Sequence, residues 1–125
     1  MQFLDVDLIL DQYANLIDRF GGSFGMRDQG LLESALVYPQ LLYVIGMERN
    51  KYLLAAAYGY HLIKNHPFVD GNKCIGTFAM VLFLRMNGIS ISIKQQELYD
   101  LAMRVAMSKL DEQGLAFELE RLGGN

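Results

Sequence analysis

The stretch HPFVDGNKC, running from His66 to Cys74, places a base, a carboxylate, an amide and an ammonium group around one proline and one glycine. An imidazole has an ordinary pKa of about 6.5, so His66 can take a proton from a hydroxyl held within hydrogen-bond reach. Asp70 supplies hard oxygen, the ligand Mg²⁺ prefers when it bridges one or two carboxylates to phosphate oxygens and water. Gly71 lets the main chain approach a ligand closely, and a helix is predicted to start there. The first amides of that helix have no partners inside it, and its dipole favours negative charge. Gly71, Asn72 and Lys73 therefore form a natural anion cradle. Lys73 adds a point charge, and Asn72 a side chain that both donates and accepts. Taken singly, a loop histidine is often a surface or capping residue and an Asp-Gly pair is often only a turn. The coincidence of all of them at one helix start favours a site for a phosphate and its metal.

These residues must be held by the elements on either side. Pro67 biases His66 away from the helical region, so the preceding helix is predicted to end near Asn65. Phe68 is expected to point into the core and pin the loop. After Asp5, the apolar residues Val6, Ile9, Leu10, Tyr13, Ile17 and Phe20 recur at threes and fours, with Gly21 and Gly22 as a stop. Asp28 is a candidate cap for a second helix reaching Tyr38, where Pro39 is expected to interrupt it before a short segment from Gln40 to Ile45. Asn50 is read as the cap of a third helix reaching Lys64. A fourth, from Asn72 to Asn87 with Gly88 behind it, is expected to be the central and most buried one. Ile89, Ser90, Ile91, Ser92 and Ile93 alternate strictly, but a lone strand has nothing to pair with, so extended chain is expected. Helices over Gln95 to Ser108 and Gln113 to Leu122 complete the set, and Gly123, Gly124 and Asn125 are expected to fray. The expectation is an all-α bundle of about six helices, residues 1–125 forming one domain.

Bulk properties agree with that expectation. The chain has 125 residues, 52% of them hydrophobic, and only 2 prolines, which suits an ordered core. A formal charge of −3 without a basic stripe gives no electrostatic case for nucleic acid. Its 1 cysteine excludes an internal disulfide. The opening MQFLDVDLILDQYANL has acids where a signal peptide has bases, and no apolar run is long enough for a membrane span. A cytoplasmic location is expected.

HPFVDGNKC resembles the signature of the Fic/Doc superfamily, HxFx(D/E)GNxR, and Lys73 resembles the penultimate lysine of the Doc (death on curing) toxin branch, where most Fic proteins have glycine. The resemblance extends to GGSFGMRDQGLLESAL from Gly21 to Leu36, to the apolar helix before the motif, and to LFLRMNGI from Leu82 to Ile89. It implies a toxin that transfers the γ-phosphoryl group of ATP to a hydroxyl of elongation factor Tu and blocks protein synthesis. By the same resemblance His66 accepts the hydroxyl proton, Asp70 holds Mg²⁺, and Asn72, Lys73 and the amides after Gly71 stabilise the phosphate. The sequence departs from the family at position 74, where the phosphate-gripping arginine is replaced by Cys74, a group unable to make a bidentate contact. The protein is then either a naturally weakened or repurposed member or an inactivated form of a lethal one.

Two alternatives remain open: transfer of AMP to a protein hydroxyl, and a non-catalytic partner-binding module. A thiol nucleophile at Cys74 is a further reading, in which the helix start lowers its pKa. The resemblance also implies a Phd-like antitoxin acting in trans on a groove between helices. The self-inhibitory pattern Ser/Thr-xxx-Glu-Gly/Asn has its nearest counterpart in Ser108 to Gln113, which ends in glutamine. Lys64 is a candidate phosphate contact and Arg85 a weaker one, whereas His61 is read as structural. Arg27 and Asp28 could touch a protein substrate, although turn and capping roles suffice for them.

Overall fold

The computed structural model describes residues 1–124 and contains six α-helices, with no strand among the described residues. They are α1 (Val6–Phe20), α2 (Gln29–Val44), α3 (Lys51–Asn65), α4 (Asn72–Met86), α5 (Gln95–Ala106) and α6 (Glu112–Gly123). The all-α expectation and the number of helices hold. Short polar side chains start the helices as the sequence suggests: Asp5 accepts from Leu8 N at 2.8 Å, Asp28 from Leu31 N at 3.0 Å, and Asn50 from Tyr52 N at 2.9 Å. Asp111 does the same for α6, accepting from Gly114 N at 2.7 Å. No helix among the described residues is long and apolar enough to cross a membrane.

Three expectations about the elements need correction. Pro39 does not interrupt α2, which runs through it to Val44. Proline removes one main-chain hydrogen bond, but Pro39 is buried with Leu32, Ala35 and Leu36, and that packing outweighs the local cost. The central helix is α3, not α4. Helix α3 packs against α2, α4, α5 and α6, and Leu54 to Gly59 form an unbroken buried run within it. Its alanines and Gly59 permit this close approach: a Cβ at Gly59 would lie 2.5 Å from Met80 Sδ. Helix α4 keeps one flank half open, with Cys74, Thr77, Phe78 and Val81 along a cleft. The chain end also differs from expectation. Helix α6 extends to Gly123, with Gly124 as its cap, while Asn125 lies outside the described residues.

Residues 89–93 are extended and unpaired, as expected. Ile89, Ile91 and Ile93 lean on the core while Ser90 and Ser92 face outward, so the alternation reflects one-sided burial rather than a sheet. Gly123 seats against this segment, where a Cβ would come within 2.7 Å of Ile93 Cγ1.

Candidate functional site

Helix α3 ends because Pro67 cannot continue it and because His66 turns into the left-handed region, with φ 53 and ψ 55. The chain then crosses the segment between α1 and α2. Pro67 O accepts from Arg27 N at 2.8 Å and from Asp28 N at 2.9 Å, and Gly25 O accepts from Val69 N at 2.9 Å. Met26 and Phe68 thus form an isolated antiparallel bridge. Phe68 is buried, as expected, and its ring stacks on Tyr13 with centroids 3.7 Å apart and planes 11° from parallel. The Tyr13 hydroxyl donates to Asp70 O at 2.8 Å. One residue of α1 therefore fixes both sides of the loop.

Gly71 begins α4 with φ 83, a conformation that disfavours any side chain, and a Cβ there would lie 3.0 Å from Ile17 Cδ1 and 3.2 Å from Tyr13 Cε1. Unlike α1, α2, α3 and α6, helix α4 has no side-chain cap. Its leading amides therefore have no side-chain acceptor at the N-cap. Both oxygens of Asp70 are steered by main-chain donors, Oδ1 by Gly71 N at 2.9 Å and Oδ2 by Ser23 N at 3.2 Å. The carboxylate stays exposed, with further lone pairs free to accept. No cluster of three or more metal-ligating side chains occurs among the described residues. A single anchored carboxylate beside an uncapped helix start is a donor set that fits Mg²⁺, an ion that fills most of its shell with water and other oxygens.

His66, Asp70, Gly71, Asn72, Lys73 and Cys74 all line one cleft of about 520 Å³ between α1, α4 and α5. Lys73 is exposed and is the only lysine or arginine on the cleft wall among the described residues. Asn72 departs from expectation. Its side chain is 4% exposed, its Oδ1 accepts from Phe68 N and its Nδ2 donates to Phe68 O, both at 3.0 Å. The side chain expected to meet phosphate instead staples the loop across the helix start. Lys64 is also corrected. It does not line the cleft, and its ammonium donates to Ser108 Oγ in the turn between α5 and α6. The helical rotation of α3 carries position 64 away from position 66.

Cys74 is half-buried in the first turn of α4, and burial pushes its thiol above the usual value. This is the opposite direction from the lowered thiol pKa that a nucleophilic cysteine at a helix start requires. His61 Nε2 lies 2.9 Å from Glu112 Oε1, and its ring packs on Tyr38 with centroids 4.1 Å apart, which ties α3 to α6 as a structural histidine would. Burial, with the Glu112 charge adding to it, raises the Tyr38 hydroxyl above its ordinary value. Ser108 and Glu112 are thus engaged away from the cleft, and the stretch from Ser108 to Gln113 does not reach it. Arg85 is exposed in the last turn of α4 and is likewise off the cleft wall.

The remainder of the cleft is apolar and was not singled out from the motif. Leu16 and Phe20 of α1, Phe78 and Val81 of α4, and Leu98 and Tyr99 of α5 extend it away from the polar end. On α5 the signal was present as a one-faced stripe, Gln95, Leu98, Tyr99, Ala102 and Ala106 recurring at threes and fours.

Residues 3–84 match the family model described as Fic/DOC family. Toxin Doc of Mycolicibacterium smegmatis (strain ATCC 700084 / mc(2)155) is 35% identical over 103 residues, which cover 80% of this chain and 79% of that protein. Protein kinase doc of Escherichia phage P1 is 31% identical over 119 residues, which cover 95% of this chain and 93% of that protein.

Proposed function

As a member of the Fic/DOC family, in its Doc branch, the chain carries a known motif on a cleft of suitable chemistry, and we propose that it is a Doc-type toxin that phosphorylates a protein hydroxyl from ATP. The observation that carries this reading is the uncapped start of α4, set between the anchored Asp70 carboxylate and Lys73, with His66 on the same cleft. The main-chain amides of Asn72 and Lys73 receive oxygens of the γ-phosphate, and Lys73 balances their charge. His66 takes the proton as the target's hydroxyl oxygen forms its bond to the γ-phosphorus. The bond from that phosphorus to the bridging oxygen breaks, and ADP leaves. Mg²⁺, which Asp70 would hold, supplies charge neutralisation at the phosphates. Asn72 contributes by keeping Phe68 and Gly71 in register.

Elongation factor Tu is the target this reading names, and translation in the cytoplasm is what its modification blocks. A Phd-like antitoxin binding in trans restrains the toxin, and the apolar end of the cleft supports such a partner. Cys74 leaves the site without a guanidinium on the cleft wall, so turnover is weak. That same feature favours a second reading, a partner-binding module without turnover.

Intact-mass measurement on elongation factor Tu, incubated with Mg²⁺, ATP and either this chain or its Cys74→Arg variant, separates the readings. Addition of one phosphate by the arginine variant, abolished by His66→Ala, is the expected result. Addition of AMP would make the protein a nucleotidyl transferase instead. No adduct from either protein, with ATP bound by neither, would support the binding module.

A further inference from the structure

We propose that Arg27 is a positioning residue for His66, fixing the direction of its imidazole by clamping the main chain on both sides of it. Its relevance to catalysis rests on the phosphoryl-transfer reading; the clamp itself does not.

His66 is one of three residues other than glycine with positive φ in the described chain, and it is the one on the cleft wall. Such a conformation persists only where the surroundings over-determine it. Arg27 does so with three donors directed at three successive carbonyls. Its Nη2 donates to Asn65 O at 2.8 Å, its Nε to His66 O at 2.6 Å, and its main-chain N to Pro67 O at 2.8 Å. The first two acceptors lie at the C-terminal end of α3, where unpaired carbonyls and the helix dipole both favour a cation. A guanidinium reaches two adjacent carbonyls at once because its donors are held in a planar fork, which a lysine ammonium cannot imitate.

The imidazole itself makes no hydrogen bond to any described residue. No carboxylate among the described residues orients it, so the ring points where its own main chain directs it. Arg27 is in turn held by its neighbours. Met26 bridges to Phe68, and Asp28 caps α2. The side chain of Arg27 is not on the cleft wall, and two of its nitrogens are engaged by carbonyls, so it acts on a substrate through His66 rather than by contact.

The chain contains 2 histidines, His61 and His66, which makes the ring directly observable. In ¹H–¹³C spectra of the full chain, with the His66 signal assigned by its loss in His66→Ala, Arg27→Ala should shift or broaden the His66 ring signal and leave that of His61 in place. Arg27→Lys should fall between the two, because one ammonium can replace only part of the fork. An unmoved His66 signal in Arg27→Ala would overturn the proposal. So would a shift of both histidine signals, which reports general unfolding, if Arg27→Lys reproduced it.

A kinetic arm uses phosphoryl transfer by the Cys74→Arg protein. There Arg27→Ala should lower kcat by about tenfold or more, as ring misplacement predicts, and leave KM for ATP unchanged because the cradle at α4 is built separately. A raised KM with unchanged kcat would overturn the positioning role. Absence of any transfer by the parent Cys74→Arg protein would count against the phosphoryl-transfer reading alone, and the ring spectra would then decide the clamp.

Discussion

On the proposed function, replacing Cys74 with arginine should strengthen the binding of phosphate in the cleft. The thiol makes no hydrogen bond to a described residue and lies half-buried in the first turn of α4, beside Lys73, on the wall of a cleft of about 520 Å³. Position 74 shares the cleft with the apolar Phe78 and Leu98 and with the polar residues at its other end, surroundings that suit the apolar stem and charged head of an arginine. A net contribution of about 1.5–3 kcal/mol for hydrogen bonding to a charged group corresponds to roughly 10- to 150-fold tighter binding of ATP. The cleft is open to solvent, so the gain should shrink as salt is raised.

Calorimetric titration with ATP and Mg²⁺ measures the effect, and two further variants separate charge from bulk. Cys74→Met fills volume without charge and should bind no better than the original chain. Cys74→Lys adds a point charge without the fork and should gain less than arginine does. Equal affinities for the arginine and methionine variants would refute the argument, because the cleft would then gain nothing from a guanidinium at position 74.

Four smaller perturbations probe the scaffold. Asn72→Ala leaves the main-chain N–H and C=O of the buried Phe68 unpaired and should cost about 2–4 kcal/mol in urea unfolding; a loss below about 1 kcal/mol would deny the staple. Gly71→Ala forces a Cβ into a φ of 83 and against Ile17, and should cost about 1–3 kcal/mol while also weakening ATP binding by displacing the α4 amides. Tyr13→Phe keeps the stack on Phe68 but loses the bond to Asp70 O, for about 0.5–1.5 kcal/mol in the same assay. Alkylation of Cys74 by iodoacetamide should be slow near pH 7 and accelerate only above the usual thiol range. Because the folded thiol holds its proton longer, the unfolded chain ionises first as pH rises, so the contribution of this group to stability is present at neutral pH and lost in alkali.

The sequence announced those parts of the structure that depend on neighbours in the chain. Asp5, Asp28 and Asn50 act within three residues of themselves, and the break at Pro67 and the restart at Gly71 are properties of one or two residues. What depends on tertiary partners departs from these local preferences. Pro39 sits in a helix because burial overrides its local cost, which no single-residue preference reveals. Helix α4 has the larger side chains and so looked central, yet the hub is the alanine-rich α3, because small residues admit more neighbours. Asn72 and Lys64 have side chains suited to phosphate, but their partners, Phe68 and Ser108, are set by the path of the chain. The clamp at Arg27 joins residues 38 and 39 positions apart, beyond any periodicity.

On the proposed reading, a change at position 74 alters the hold on phosphate without altering the shape of the site. Every bond that shapes the cradle runs elsewhere. Tyr13 holds Asp70, Asn72 holds Phe68, Ser23 and Gly71 aim the carboxylate, and Arg27 holds the end of α3. Apart from the helical ladder of α4, Cys74 bonds through its main-chain carbonyl, which accepts from Thr77 Oγ1 at 3.0 Å and survives any change of side chain. A substitution there changes what the cleft can hold and leaves the framework that forms it intact. Affinity for nucleotide and stability of the fold should therefore vary independently at this position, whereas at Asn72 and Gly71 they fall together. A change of unfolding free energy in Cys74→Arg as large as that in Asn72→Ala would break this separation.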